Sequence, residues 1–446
     1  MEAFTIGFGT SDITPPVGVE LAGFGWYIGR KSTGVIEPLY AKAMLWQSGG
    51  DRGALISCDI IGVSRQTVKE VRETVSAECG IPFDNIIICA THTHSGPATY
   101  KLIGWGEMDP DYVKSLPRKI ADSAKTAQGA MAPACLEYGE TLVSGISYNR
   151  EYKDGPTDDR LRLLKVTHGG KMAGFLANYS CHPVVMCEET SLISGDFVGL
   201  AVNKAGKAHG CTGLFIQGAI GDQNSVFCHK PQDESVENLK TLSGRFADFI
   251  EKAIGIASPI APAPGEAQAK AGRKEISLPQ SPISKPMIMR AYLILDEALK
   301  QGAALPERLG LHLKFEKAVY EAMWERSGAL PADARETEIQ AVRFGDFTIV
   351  AHPSELFLRY QQDVVAALAP CKIMVAGCAN DSVGYMPTPD KYDMSGAKLD
   401  GGGISYPAYF VPMMIGEFPF TENAGKMLVD EMVNLVRSLQ NPLTSA

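Results

Sequence analysis

Short apolar runs alternate with helical stretches through the first half of the chain. The apolar runs predict strands at 54–58, 86–90, 161–166, 174–179 and 213–217. Between them, amphipathic stretches predict helices at 64–78, 111–127, 199–207 and 238–254. This alternation predicts an α/β fold with a mixed β-sheet core flanked by helices.

A Pro/Ala-rich connector at 257–265 changes the character of the chain. It predicts a division into residues 1–256 and 257–446, as two parts of one catalytic domain. The second part has a helical stretch at 286–326, a hairpin at 339–350, a Gly-rich loop at 399–404 and a C-terminal amphipathic helix. No internal repeat is evident.

Composition is that of a soluble globular protein, with 446 residues of which 45% are hydrophobic and 21% charged. A formal net charge of −9 argues against a nucleic-acid partner. No apolar run approaches transmembrane length, and the N-terminal residues lack a secretory signal. We therefore expect a cytoplasmic protein, in which the ten cysteines, without a C-x-x-C pair, are reduced core residues.

Two histidines, His92 and His94, follow the predicted strand 86–90. If the strand continues through them, both imidazoles point to one face at its C-terminal end, where α/β proteins usually bind ligands. This spacing favours a metal or proton-transfer site. The alternative is a pair of polar residues on an exposed strand end.

Two further histidines also end apolar runs, each directly before a proline. His182 follows the strand 174–179, and His352 follows the hairpin and precedes Glu355. Imidazoles and a carboxylate match a catalytic zinc site with an open coordination position. The alternative is that each His-Pro only terminates a strand, which is the preferred interpretation for His352.

A glycine-rich turn, Gly221-Asp222-Gln223-Asn224, follows the strand 213–217. Asp222 is expected to orient a histidine or to cap the next helix. The turn matches neither a P-loop nor a dinucleotide fingerprint, and the chain has no G-x-S-x-G nucleophile elbow. These absences exclude the corresponding nucleotide-binding and serine-hydrolase signatures.

Together, the ordered motifs resemble the neutral/alkaline non-lysosomal ceramidase family, over most of the chain to about Tyr392. The motifs that carry this resemblance are Gly9-Thr10-Ser11-Asp12-Ile13-Thr14-Pro15-Pro16, Pro38-Leu39-Tyr40-Ala41, Ser57-Cys58-Asp59, Thr91-His92-Thr93-His94-Ser95-Gly96-Pro97, Ser194-Gly195-Asp196-Phe197, Gly221-Asp222 and Pro353-Ser354-Glu355.

The resemblance implies a zinc-dependent amidohydrolase that cleaves an N-acyl amide by a metal-activated water, with ceramide as substrate at family level. It thereby implies a role in lipid and sphingolipid metabolism. The implied metal ligands are His92, His182, Glu355 and Tyr385. His94 is implied in proton transfer or oxyanion binding, and Arg150 is implied to contact the substrate.

Four departures from the family pattern put the substrate in doubt. We expect a short form, without the signal sequence or the C-terminal immunoglobulin-like domain of the secreted ceramidases. The turn at Asp222 lacks a serine nucleophile in register, His352 occupies a place without a fixed histidine in the family, and residues 399–403 diverge. A lactonase or esterase on a small polar substrate, a non-catalytic metal-binding protein, and a homo-oligomer remain open alternatives.

Overall fold

The computed structural model describes residues 4–24, 29–262, 268–300, 307–328, 334–393 and 404–440. The strands are β1 Phe4–Asp12, β2 Gly34–Val35, β3 Tyr40–Ser48, β4 Asp51–Cys58, β5 Ile86–Ala90, β6 Ala132–Leu142, β7 Ser147–Asn149, β8 Arg160–His168, β9 Lys171–Tyr179, β10 Leu192–Ile193, β11 Thr212–Gln217, β12 Gln223–Ser225, β13 Ser258–Pro259, β14 Ala269–Pro279, β15 Ala334–Phe344, β16 Phe347–Ala351, β17 Glu355–Leu356, β18 Lys372–Ala376 and β19 Tyr385–Met386. The helices are α1 Arg65–Cys79, α2 Pro110–Gly129, α3 Asp196–His209, α4 Ser235–Ile256, α5 Lys285–Lys300, α6 Glu307–Arg326, α7 Leu358–Ala367, α8 Val411–Met414 and α9 Ala424–Gln440.

The elements predicted for the first half are confirmed. Ser64 caps α1, since its Oγ accepts a hydrogen bond from the backbone N–H of Thr67 at 3.1 Å. In the second half the hairpin is confirmed as β15 and β16, and the C-terminal helix as α9. The predicted helical stretch 286–326 contains the two helices α5 and α6. Of the Gly-rich loop, residues 399–403 lie outside the described residues.

Two mixed sheets form the core, which confirms the predicted fold class. The larger sheet has the order β11-β9-β8-β6-β1-β3-β4-β5, with β13 added beside β6. The smaller sheet has the order β14-β15-β16-β18. Parallel pairs, such as β4 with β5 and β9 with β11, occur beside antiparallel ones in the larger sheet.

The two sheets pack face to face through one apolar core. Trp46 and Leu55 of the larger sheet lie in the same buried cluster as Phe344 and Ile349 of the smaller one. The Trp46 and Phe344 rings meet edge-on, with their centroids 5.3 Å apart. The apolar face of α1 and α2 covers strands β3 to β5, α3 and α4 cover β8 and β9, and α7 and α9 cover the smaller sheet.

Curvature of the larger sheet brings β4 and β5 at one edge close to β11 at the other. The Ser57 hydroxyl of β4 donates to the carbonyl of Phe215 in β11 at 2.5 Å. Just beyond the strands, the Gln217 side-chain amide donates to the Thr91 carbonyl at 2.9 Å. The chain that follows β5 therefore lies beside the chain that follows β9 and β11.

Within the described residues, no helix has the length and apolarity needed to span a membrane.

Candidate active site

His94 and His182 line a cavity of about 520 Å³ where the ends of β5 and β9 approach each other. Both side chains are buried, with residue exposures of 6% and 1%. The cavity lies within the size range of small-molecule sites in proteins.

The segment after β5 carries His92 and His94 into the site, but not as a strand. β5 ends at Ala90, and His92 has a left-handed φ of 67°. The prediction that strand alternation places both histidines on one face is therefore wrong. Their rings nevertheless lie 5.0 Å apart, because the turn is held by a hydrogen bond from the His92 N–H to the Ile60 carbonyl at 3.0 Å. A non-glycine residue in this conformation is strained, as is common at functional sites.

The remaining predicted ligands come from β17, β19 and the segment after β9. Glu355 and Tyr385 are directly paired residues of the two short parallel strands. His182 is held beside them by a hydrogen bond from its backbone N–H to the Gln223 carbonyl at 2.9 Å. Three separate chain segments thus present their side chains to one point.

At that point the four predicted ligands converge. The Glu355 Oε2 atom lies 3.1 Å from His182 Nε2 and 3.5 Å from His92 Nε2. The Tyr385 hydroxyl lies 3.4 Å from His182 Nε2. Nitrogen atoms of His92, His94 and His182 also lie within 4.8 Å of one another, so this group could hold a metal ion.

The outer nitrogens of two histidines are fixed by backbone carbonyls. His92 Nδ1 lies 2.6 Å from the Ile61 carbonyl, and His182 Nδ1 lies 3.1 Å from the Gln223 carbonyl. A carbonyl only accepts, so each Nδ1 carries a proton, and each Nε2 is directed at Glu355. This arrangement is typical of metal-ligating histidines.

His94 is held differently. Neither of its ring nitrogens has a hydrogen-bond partner among the described residues, although both are buried. Its ring packs edge-on against Phe24, with centroids 5.0 Å apart. A Cβ at Gly23 would lie 2.4 Å from His94 Cγ, so only glycine allows this close approach. The imidazole is placed by packing while its nitrogens stay available to a ligand.

Charge in the group is concentrated on Glu355 and His92. Burial raises the pKa of Glu355, but His92 and His182 outweigh it and hold that pKa well below 4.5. Burial lowers the pKa of His92, yet Glu355 and Cys378 bring it well above 6.5. Burial and Arg150 lower the pKa of His182 to about 4. Without a metal, Glu355 and His92 therefore form a buried ion pair beside a neutral His182.

Arg150 lies on the other side of Tyr385. Its Nη2 donates to the Tyr385 hydroxyl at 2.7 Å and to the Gly221 carbonyl at 2.8 Å. Burial raises the pKa of Tyr385 well above 10, and the Arg150 charge opposes this shift. Arg150 also lines the cavity, so it both orients Tyr385 and faces the space for a substrate.

Asp222 connects two chain segments that carry the site. Its Oδ1 accepts the backbone N–H of Leu358, the first residue of α7, and its Oδ2 accepts the Asn149 amide, both at 2.9 Å. It caps a helix more than a hundred residues along the chain, whereas the sequence predicted a cap on the next helix or a bond to a histidine. This contact joins the turn beside His182 to the chain that carries Glu355.

Several cavity-lining residues have no counterpart among the predicted site residues. Trp105, Glu188, His229 and Tyr406 line the cavity together with His94 and His182. Glu188 lies six residues after His182 in the sequence. This short separation was the one sequence feature that could have indicated its place in the cavity lining. Trp105 and Tyr406 reach the cavity only through tertiary packing.

A family model described as neutral/alkaline non-lysosomal ceramidase, N-terminal, matches residues 4–215. The neutral ceramidase of Pseudomonas aeruginosa is 25% identical over 221 residues, which cover 44% of this chain and 33% of that protein. The neutral ceramidase of Mycobacterium tuberculosis is 25% identical over 223 residues, covering 44% and 35%. The matched stretch thus spans about a third of these curated relatives.

Solved structures extend the similarity of fold to the whole chain. The crystal structure of the Pseudomonas aeruginosa neutral ceramidase superposes with a TM-score of 0.72 at 16% identity, covering 100% of this chain and 75% of that one. A ceramidase complexed with C2 gives a TM-score of 0.73 at 18% identity, covering 100% and 77%. The chain is thus similar to the neutral/alkaline non-lysosomal ceramidase family by sequence over residues 4–215, and it shares the fold of solved ceramidases over its full length.

Proposed function

We propose that the chain is a zinc-dependent hydrolase that cleaves an N-acyl amide bond, with a ceramide-like lipid amide as the family-level substrate. The observation that carries the proposal is the convergence of His92, His182, Glu355 and Tyr385 at the wall of one cavity, which His94, His182 and Tyr385 line. The curated relatives named as neutral ceramidases support the choice of an amide.

The donor set fits zinc. Two imidazole nitrogens and a carboxylate oxygen are a common ligand set of catalytic zinc, and each imidazole is anchored by a carbonyl. The hydroxyl oxygen of Tyr385 is a fourth donor, and the Arg150 charge favours its ionised form. When bound, zinc supplies Lewis acidity and lowers the pKa of water.

His94 is the proposed proton carrier. Burial lowers its pKa well below 6.5, and the neighbouring His92 and His182 lower it further, so its imidazole is neutral at pH 7. A neutral imidazole takes a proton from the attacking water and then gives it to the nitrogen of the leaving amine. Its two unpartnered nitrogens are suited to both transfers.

Arg150 has a positioning role through Tyr385 and a binding role in the cavity. Its guanidinium is fixed by the Gly221 carbonyl and the Tyr385 hydroxyl, so the Tyr385 oxygen stays directed at His182. The same guanidinium faces the cavity, where it is proposed to donate to the carbonyl or hydroxyl oxygen of the substrate.

Metal content and substrate class test the proposal separately. Purified protein is expected to contain about one zinc per chain, and His92→Ala should lose it. His209→Ala is the control, because His209 lies on the surface and pairs with Glu251 at 2.8 Å. Wild-type protein that binds no transition metal after exposure to zinc would refute the metal site.

For the reaction, hydrolysis of a short fluorogenic N-acyl amide is compared with hydrolysis of a lactone panel. Turnover of the amide that depends on His92 supports the amidohydrolase. Turnover of lactones alone would reject it in favour of a lactonase.

A further inference from the structure

Asn224 carries a buried polar atom that no described residue satisfies. Its Oδ1 has no hydrogen-bond partner among those residues, and Asn224 is only 5% exposed and lines the cavity. Leaving a buried acceptor unpaired costs free energy, and most such atoms in proteins are therefore paired. An unpaired acceptor in the lining of a substrate-sized cavity points to a hydrogen-bond donor on the ligand.

The nitrogen of the same side chain is already engaged. Asn224 Nδ2 donates to Cys228 Sγ at 3.4 Å. Burial raises the pKa of Tyr148, and a hydrogen bond with the Asn224 side chain opposes that shift. Because the nitrogen of the planar amide is turned towards Cys228, its oxygen is turned the other way and is held in place as an acceptor.

Asn224 lies beside a proposed metal ligand. Its backbone forms a parallel bridge with His182, in the segment after β9. The preceding residue of β12, Gln223, uses its carbonyl to hold both the backbone N–H and the Nδ1 of His182. Asn224 therefore borders the part of the cavity in which the scissile bond is proposed to lie.

Beside His94, the cavity lining offers an unpaired donor instead. Trp105 Nε1 is buried without a hydrogen-bond partner in the described part of the chain, and the Trp105 and His94 ring centroids lie 6.1 Å apart. Trp105 lines the same cavity as Asn224. A secondary amide has one carbonyl acceptor and one N–H donor, so its two polar groups match these two unpaired atoms. An ester or a lactone has no donor for Asn224.

We propose that Asn224 Oδ1 accepts a hydrogen bond from the N–H of the scissile amide, which makes Asn224 a specificity residue for secondary amides. This inference rests on the proposed function for the position of the scissile bond. A lactone or an ester would place an oxygen lone pair against Asn224 Oδ1, and a site built to bind an N–H discriminates strongly against an analogue that lacks it.

The test compares two substrates with the same acyl group, a secondary amide and the matching ester, which lacks the N–H. Asn224→Leu removes the acceptor and should lower kcat/KM on the amide by about tenfold or more, with a clearly smaller loss on the ester. Asn224→Asp retains an oxygen acceptor and should keep the wild-type ratio of the two kcat/KM values. Asn434→Leu is the matched control, because Asn434 is exposed on α9.

An equal loss on both substrates in Asn224→Leu would overturn the inference. Calorimetric titration with N-butylacetamide and with N-butyl-N-methylacetamide, which has no N–H, gives a readout without hydrolysis. Wild type should bind the secondary amide about tenfold more tightly, and Asn224→Leu should remove this difference. That result supports the role of Asn224 even if no amide is cleaved, in which case only the proposed function fails. Equal affinity of wild type for the two probes, or binding of neither, would refute the role of Asn224.

Discussion

His182 and His352 occupy equivalent places in the sequence and different places in the structure. Each follows a buried strand, precedes a proline and is buried, with exposures of 1% and 0%. His182 directs Nε2 at Glu355 and Tyr385 beside the cavity. His352 turns Nδ1 to Ser354, which donates its backbone N–H at 3.3 Å, and a Cβ at Gly377 would lie 3.4 Å from its Cε1.

This difference shows that a histidine at a strand end becomes part of a site only when another chain segment brings suitable side chains close to it. The segment after β9 faces the β17–β19 pair, which supplies Glu355 and Tyr385. The segment after β16 faces Gly377, which follows β18 and supplies no side chain. The interpretation of His352 as a strand terminator agrees with its place outside the cavity lining.

The test with the largest expected effect replaces His182 and His352 in turn by alanine. His182→Ala should lose bound zinc and lower kcat/KM on an N-acyl amide by about a thousandfold or more, because metal and water activation are lost together. His352→Ala should keep the zinc. Mass spectrometry of the metal and steady-state kinetics measure both, and zinc loss in His352→Ala alone would reverse the assignment.

Removal of the proposed proton carrier should have a smaller effect. His94→Gln should lower kcat by about a hundredfold or more at unchanged zinc content, because general acid–base catalysis is lost while the ligands remain. Loss of the zinc with His94 would instead make it a ligand, as its distance to His92 and His182 also permits.

The hydrogen bonds of Asp222, in the turn beside His182, should contribute to the stability of the fold. Asp222→Ala leaves the buried N–H of Leu358 and the Asn149 amide without their acceptor, and should lower the free energy of unfolding by about 3 kcal/mol. Asp363→Ala, which breaks a surface pair with Arg359, should cost less than about 0.5 kcal/mol. Urea unfolding measures both, and equal losses would contradict the proposed role of Asp222.

The buried His352 should make the free energy of unfolding depend on pH. Burial lowers its pKa from 6.5 to about 3, so between those values the unfolded state binds more protons than the folded state. Its contribution to the free energy of unfolding is therefore present at neutral pH and is lost as the pH falls. At pH 5 the loss should reach about 2 kcal/mol.

Urea unfolding at pH 7 and pH 5 measures this loss. His352→Gln should lose less stability than wild type over that interval, by the same amount, because the titrating group is gone. His209→Gln, a change on the surface, should behave as wild type. An identical pH dependence in wild type and His352→Gln would show that His352 is not the group responsible.

Local patterns in the sequence are sufficient for most secondary structure, because burial periodicity and capping act over a few residues. The strand 86–90 and the Ser64 cap are examples, and both are confirmed. The same reasoning failed just beyond that strand. The left-handed turn at His92 depends on a hydrogen bond to Ile60 and on the packing of Gly23 against His94, which no local periodicity shows.

The sequence by itself determined the α/β class, the resemblance to the ceramidase family and the residues able to ligate a metal, because these follow from patterns and motifs along the chain. Only the tertiary structure decided which of them meet. Curvature of the larger sheet joins the end of β11 to the chain after β5, and the β17–β19 pair adds Glu355 and Tyr385. The same packing excludes His352 and brings in Glu188, since proximity in a fold is set by contacts between residues far apart in the chain.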